Sequence, residues 1–470
     1  MSQKIYEKYY FVLPVIVFLI IKIPHLSLQF FWDEAWSYYP AVYKMFESGP
    51  GLLPGALPLN VAKGHPLFFF FLNSSWMLLV SDNLILIKLL PLVVSTSLLI
   101  YSYYFLKKHF TLFAANIGIT ILSVQSLILA QATLVLPEML VTLFLIICLD
   151  AFFSKKFLLF AISGTLMVLT KETSIVFVSM FIMFYFFKWL FNSKKGNYKF
   201  SKLIFLVIPL VMYSGYLILH YFEFESYFYK DHLGHIDIDT YVIKKKINTA
   251  LHLIFTSFGR TLLSIGAIIS IIFLVVKKKK IAGGNILLII LICFISFILF
   301  SSVNFFTKRY MLNLLTLFVI SFSILISQIK TKYILINYII LIILAAFPLY
   351  ESLTSKSNSD SDLGYVEAVK VHRNLVNYCE EQQWYDIPIS ASFNMIFYLR
   401  DKKLQYLKGD KAFSKISDIK KLDDAGIIVF ESTMHLPPAV TDSVRKNCTL
   451  IKSFKNKHAW GEIYRNESFK

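Results

Sequence analysis

Apolar residues fill the first 350 positions in long blocks, separated by short polar turns. The blocks cover 10–28, 84–105, 112–129, 138–153, 157–170, 174–191, 203–221, 260–276, 284–302, 309–328 and 333–350. Most approach the roughly 20 residues that a helix needs to cross a hydrocarbon core, and the shorter ones are marginal. The pattern predicts about eleven transmembrane helices. Residues 66–80 are also apolar, but Ser81, Asp82 and Asn83 follow them where a basic turn would mark a crossing. That stretch is expected to lie along the membrane surface. Residues 34–48, interrupted by Pro40, form a second candidate surface helix, so outer surface helices fall within 29–83. A second large outer segment, 222–259, is rich in aromatics, acids and histidines.

After Tyr350 the pattern changes. Residues 351–362 read as a Ser/Asp-rich linker, and about 110 residues of ordinary globular character follow. Helical periodicity covers 363–382 and recurs at 440–446. Short strand patterns occupy 387–391 and 426–430, and closing strands 449–454 and 459–464. The expectation is a polytopic α-helical membrane protein over 1–350 with a small soluble α/β domain over 351–470. No internal repeat is evident.

Composition agrees: 57% of the 470 residues are hydrophobic and 16% charged, against roughly 25% charged in soluble domains. The net charge of +18 invites a nucleic-acid reading, but its location argues otherwise. Residues 1–350 hold 29 Lys/Arg and 13 Asp/Glu, while 351–470 hold 18 and 16. The excess lies in short turns after apolar blocks: Lys107 and Lys108, Lys155 and Lys156, 188–202, 277–280, and Lys330 with Lys332. The positive-inside rule explains these basic turns as cytoplasmic and leaves no call for nucleic acid. The N-terminus is then cytoplasmic, and an odd number of spans puts 351–470 outside a cell (inner or plasma) membrane. Asp33, Glu34, Glu47, Asp82, Glu138 and Glu172 sort to that same outer side. The first block is too long for a signal h-region and reads as a retained span. Cys148 and Cys293 lie inside apolar blocks; Cys379 and Cys448, in the outer part, are the two that could pair.

Chemistry is concentrated on the outer rim. Asp33 and Glu34 leave the first block inside an aromatic belt, Phe30-Phe31-Trp32-Asp33-Glu34-Ala35-Trp36. Glu138 follows Pro137 at a helix start, where an acid also complements the helix dipole. Lys171 and Arg309 are rim cations, and His65 and His232 are outer histidines. Ionisable residues at a membrane rim are functional candidates. Carboxylates and cations together suit transfer from a phosphate-linked donor. The departing phosphate needs positive charge, and an incoming hydroxyl needs a base.

The chain resembles the GT-C superfamily of membrane glycosyltransferases, in the branch of protein O-mannosyltransferases and lipid A aminoarabinose transferases. Trp32-Asp33-Glu34-Ala35-Trp36-Ser37-Tyr38 is similar to that family's first-loop acid pair, and Gly64-His65-Pro66-Leu67-Phe68 to its step into an aromatic surface helix. Glu138 stands where Asp is commoner. Leu169-Thr170-Lys171-Glu172 resembles a Leu-Thr-Lys-Gly step, with Glu in place of Gly. Tyr229-Lys230-Asp231-His232 resembles the late outer histidine segment, and Arg309-Tyr310 a late Arg-Tyr helix start.

The resemblance implies an extracytoplasmic glycosyltransferase using a polyprenyl-phosphate sugar and a hydroxyl acceptor, with inversion at the anomeric carbon. It implies Asp33 as the leading base with Glu34 beside it, Glu138 as a second acid, Lys171 and Arg309 on the phosphate, and Tyr310 in the pocket. Some relatives bind a divalent metal through an outer acid and this late histidine. His65 and His232 are the candidate ligands here, short of the usual three or four. The rival from another class is a lipid-linked glycan transporter or flippase. Transporters often show paired repeats and broken helices at mid-depth, whereas these titratable groups sit on the rim.

Overall fold

The computed structural model describes residues 10–192, 199–329, 334–419, 425–434 and 436–469. It is mostly helical, with one small sheet near the C-terminus. Among the described residues, five helices are long and apolar enough to cross a membrane: Leu84–His109, Glu172–Phe191, Phe200–Phe224, Gly284–Val303 and Lys308–Ile326. Thr240–Phe255 and Arg260–Val276 make a sixth if counted as one span, but they meet at 82°. The bend falls at Phe258 and Gly259, both left-handed, with φ of 52° and 72°. Other apolar blocks form shorter helices, including Val12–Ser27, Leu112–Leu122 and Phe157–Thr170.

Local sequence explains several boundaries. Leu84–His109 starts where the Asn83 side chain accepts the Ile85 N–H, and ends in Lys107, Lys108 and His109, which complement the carbonyl end of the dipole. Leu112–Leu122 starts under Thr111 in the same way, and Thr240–Phe255 under Asp239. The turns near 107–110, 150–154 and 283 meet at one end of the bundle. Asp150 accepts there from Lys108, His109, Tyr101 and Ser154, and Phe110 packs against Gly283. Asp150 thus ties Leu84–His109 to Glu138–Phe153.

The opposite end carries the segments between 28 and 83. Tyr39–Ser48 and Phe68–Leu79 pack on each other there. The C-terminal part forms a five-stranded sheet of β1 (Ile389–Ala391), β2 (Ile416–Asp418), β3 (Ile427–Glu431), β4 (Thr449–Asn456) and β5 (Ala459–Arg465), in the order β2-β1-β3-β5-β4. The first three strands pair in parallel; β5 runs antiparallel to both β3 and β4. The helix Tyr365–Glu381 covers β4 and β5. Cys379 and Cys448 are both free thiols.

One feature differs from the sequence expectation. Residues 351–362 are not a solvated linker: Ser352, Asp360, Ser361 and Asp362 are buried. Gln131 donates to the Asp360 carbonyl at 2.6 Å, Asn358 to the Ser432 carbonyl, and Ser355 to Asp362. The C-terminal domain also packs directly on the chain before Asp33. Tyr406 donates to the Phe30 carbonyl at 3.0 Å, Tyr398 accepts the Trp32 N–H, and Phe31 packs on Tyr365 and His372. One continuous apolar core joins Phe30 and Phe31 to Val369 and Leu375. The domain therefore grips the short stretch that precedes Asp33.

Candidate active site

Arg309 is the centre of the site. It opens a tight turn, Lys308–Met311, leading into the helix Leu312–Ile326, and is almost wholly buried. Each guanidinium nitrogen meets a different acid. Nη2 donates to Asp33 Oδ2 at 2.5 Å, Nε to Glu138 Oε1 at 3.1 Å, and Nη1 to Asp360 Oδ2 at 2.8 Å. A buried guanidinium pays a desolvation cost of several kcal/mol, which close and well-oriented anions must offset. Here the planar fork uses its three faces to do so.

Lys171 reaches the same carboxylate: its Nζ donates to Glu138 Oε1 at 2.8 Å and lies 3.6 Å from the centre of the Tyr310 ring. Burial lowers the Lys171 pKa, but the Glu138 charge and the nearby Tyr310 and Tyr38 hydroxyls raise it more, so the amine stays charged. Glu138 Oε1 thus accepts from both cations, while its Oε2 is buried with no hydrogen-bond partner. Asp33, Glu138, Lys171, Arg309 and Tyr310, drawn from four distant parts of the chain, converge on one spot.

Asp33 is held on both sides. Its Oδ1 accepts the Trp36 indole N–H at 2.7 Å, opposite the Arg309 contact. Before it, Trp32 has φ 48°, an uncommon conformation for a bulky residue, fixed by the Tyr398 contact to its N–H. After it, residues Glu34–Tyr38 form one wide π turn that leads into Tyr39–Ser48. Such turns cluster at functional sites.

That geometry separates Asp33 from Glu34, which the sequence placed side by side in the site. Glu34 is fully buried and turned the other way. It accepts the Val135 N–H at 2.8 Å, the Phe31 N–H at 3.0 Å, and Lys88 at 3.2 Å. Burial pushes its pKa up, opposed by Lys88 and the two backbone donors. With both oxygens occupied and no exposure, Glu34 has no free face for substrate. It ties the loop to Leu84–His109.

His65 is likewise spoken for: its Nδ1 is 3.1 Å from Glu172, and its ring stacks on Tyr38. Glu172, at the position of the resemblance's glycine, therefore pairs with His65. His232 lies on the short helix Lys230–Leu233, and its side chain lies outside the described residues. Among the described residues no group of three or more His, Cys, Asp or Glu could hold a metal ion.

Three functional candidates escaped the sequence reading. Asp360 sat in what read as a linker; burial, with Asp33 and Glu138 nearby, raises its pKa against the opposing pull of Arg309. Lys88 looked like a lone lysine in an apolar block. Lys63 sits at φ 51° with its amine 3.1 Å over the Trp36 ring, so it faces the residue that holds Asp33. Burial brings its pKa down to about 8, against the attraction of Asp33 and Asp231.

These features define an acid–cation cluster at one end of a bundle that holds membrane-length apolar helices, a fold shared with the solved structures of ArnT and AglB. ArnT from Cupriavidus metallidurans bound to undecaprenyl phosphate aligns over 98% of this chain and 98% of its own, with a TM-score of 0.59 at 12% identity. The apo form of the same protein aligns over 97% and 98%, with a TM-score of 0.59 and 12% identity. The archaeal oligosaccharyltransferase AglB from Archaeoglobus fulgidus, in complex with an inhibitory peptide and a dolichol-phosphate, aligns over 98% of this chain and 75% of its own, with a TM-score of 0.52 at 10% identity. No family model matches the sequence, and no curated protein matches it.

Proposed function

We propose that the chain is a glycosyltransferase that moves a sugar from a polyprenyl-phosphate carrier to a hydroxyl acceptor on the extracytoplasmic side, with inversion. The observation that carries this reading is the convergence of Asp33, Glu138, Lys171 and Arg309 at one rim of a GT-C fold. The structural neighbours ArnT and AglB are described with undecaprenyl phosphate and a dolichol-phosphate respectively, which favours the same lipid class here. The positive-inside pattern favours a cytoplasmic N-terminus and about eleven crossings.

In this reading the acceptor oxygen attacks the anomeric carbon as the carbon–oxygen bond to phosphate breaks. The polyprenyl phosphate leaves with the bonding electrons, and Lys171 and Arg309 stabilise its charge. Asp33 takes the hydroxyl proton. In the structure Asp33 is locked to Arg309. A phosphate reaching Arg309 competes for that donor, so donor binding itself would free Asp33. Glu138 positions both cations by sharing one oxygen between them. Glu34 is a positioning residue that holds the loop. His65 and Tyr310 shape the pocket wall, and any divalent metal would need ligands beyond His65 and His232.

The flippase reading accounts less well for a carboxylate paired to the phosphate-binding cation at the rim. The deciding experiment incubates the purified protein with polyprenyl-phosphate sugars and acceptors. Release of free polyprenyl phosphate, lost in Asp33→Asn, supports transfer; translocation of the intact lipid without release refutes it.

A further inference from the structure

Beside the acid–cation cluster lies a cavity of about 890 Å³, within the ~300–1,000 Å³ that suits a small-molecule or oligosaccharide site. It shares two walls with the cluster. Trp32 directly precedes Asp33, and Asp360 holds the Arg309 guanidinium that also holds Asp33. A molecule in this cavity can therefore extend a group toward Asp33.

Four lysines line it: Lys245 and Lys246 from the helix Thr240–Phe255, Lys308 beside Arg309, and Lys356 from the buried 352–362 stretch. None of the four forms an ion pair among the described residues. The sole acid in the wall, Asp360, is already committed to Arg309. Lys246 donates to the Asn304 carbonyl, and among the described residues no carboxylate pairs with any of the four, so the cavity carries a surplus of positive charge. Between the lysines stand hydroxyl side chains such as Ser357, Ser359 and Thr433, and the rings of Trp32 and Phe306. Hydroxyl donors and flat apolar faces beside cations fit sugar rings that carry negative groups. Part of the wall comes from the C-terminal domain, through Ser432 and Thr433.

We propose that this cavity receives the acceptor, and that the acceptor is an anionic glycan bearing carboxylate or phosphodiester groups. The proposal rests on the transferase reading above and deepens it by naming the acceptor's chemistry. The lysines select for charge, the rings and hydroxyls hold the sugars, and the free hydroxyl of the terminal residue points to Asp33.

The test uses the full chain in lipid nanodiscs and a matched pair of probes, tetragalacturonate and its neutral methyl ester. Binding of each is measured at low and high salt. The expected result is at least about tenfold tighter binding of the acid, equivalent to ~1.4 kcal/mol, shrinking as salt screens the lysines. Replacing Lys245, Lys246, Lys308 and Lys356 with Gln abolishes the preference, and replacing them with Arg keeps it, which separates loss of charge from loss of fold. Equal binding of acid and ester overturns the proposal, as does a preference that survives in the Gln variant. Displacement of the acid by phosphatidylglycerol in the disc assigns the cavity to a lipid headgroup and also overturns it. Polyprenyl phosphate binding in the same discs reports separately on the transferase reading. If that lipid binds and the acid shows no advantage, the acceptor assignment alone falls. If that lipid never binds, the reading beneath it falls too.

Discussion

Arg309 and Asp33, 276 positions apart, meet through a 2.5 Å contact between a guanidinium nitrogen and a carboxylate oxygen. The contact couples the cation proposed to grip the donor to the carboxylate proposed to take the acceptor's proton. It also gives the half-buried Asp33 carboxylate a cationic partner at the rim.

Asp33→Asn is expected to lower transfer by ~10²–10⁴-fold, the usual contribution of a positioned general base, while the protein still binds polyprenyl phosphate. Single-turnover release of polyprenyl phosphate, measured beside lipid binding, checks this. Near-normal release from the variant would remove Asp33 as the base.

Glu34 and Lys88 make a different prediction. Glu34→Gln leaves a buried ammonium without its anion, at a cost of ~3–5 kcal/mol. Adding Lys88→Met should recover much of that loss in a thermal melt. Coupling of this kind marks Glu34 as a structural tie. Full stability in Glu34→Gln, with transfer lost, would instead return Glu34 to the chemistry.

Lys63 supplies a pH signature. Burial holds its pKa near 8, below the ordinary 10.5. Between those values the folded chain binds fewer protons than the unfolded one, so this group's contribution to stability rises with pH. Its positive charge near Asp33 is lost over the same window. Polyprenyl phosphate affinity should therefore weaken as pH rises through about 8, and the weakening should vanish in Lys63→Met. An identical pH profile in wild type and variant would exclude Lys63 from the phosphate field.

Gly64 sets the course of the chain between Lys63 and His65. Its φ is +71°, and a Cβ there would stand 2.8 Å from the Tyr229 Cβ. Gly64→Ala should therefore destabilise the loop by about 1 kcal/mol or more. Limited proteolysis of the 49–67 region, with polyprenyl phosphate binding measured in parallel, would report both effects. Unchanged protection and binding would show that the turn tolerates a side chain.

The sequence made some of this legible because membrane burial punishes stray charge. Asp33, Glu138, Lys171 and Arg309 stood out as ionisable groups at the ends of apolar blocks, and they do converge. Asp360 did not stand out, because its Ser/Asp-rich neighbours resemble any solvated linker. Only the folded chain brings Gln131 and Arg309 to it. The divergence of Asp33 and Glu34 was also hidden, since it depends on one π turn and on a lysine 54 residues away. In the C-terminal part the β-branched and apolar run of Ile427–Glu431 and the partial alternation of Ala459–Arg465 mark strands. The three-residue β2 and the short helix Phe393–Arg400 are too brief for a periodic signal.

The most direct measurement is native mass spectrometry of the protein with polyprenyl phosphate, the leaving group common to any sugar on this carrier. The account predicts a one-to-one adduct in the wild type that is lost in Lys171→Gln and in Arg309→Gln. An adduct of equal strength in both variants, or none in the wild type, would contradict it.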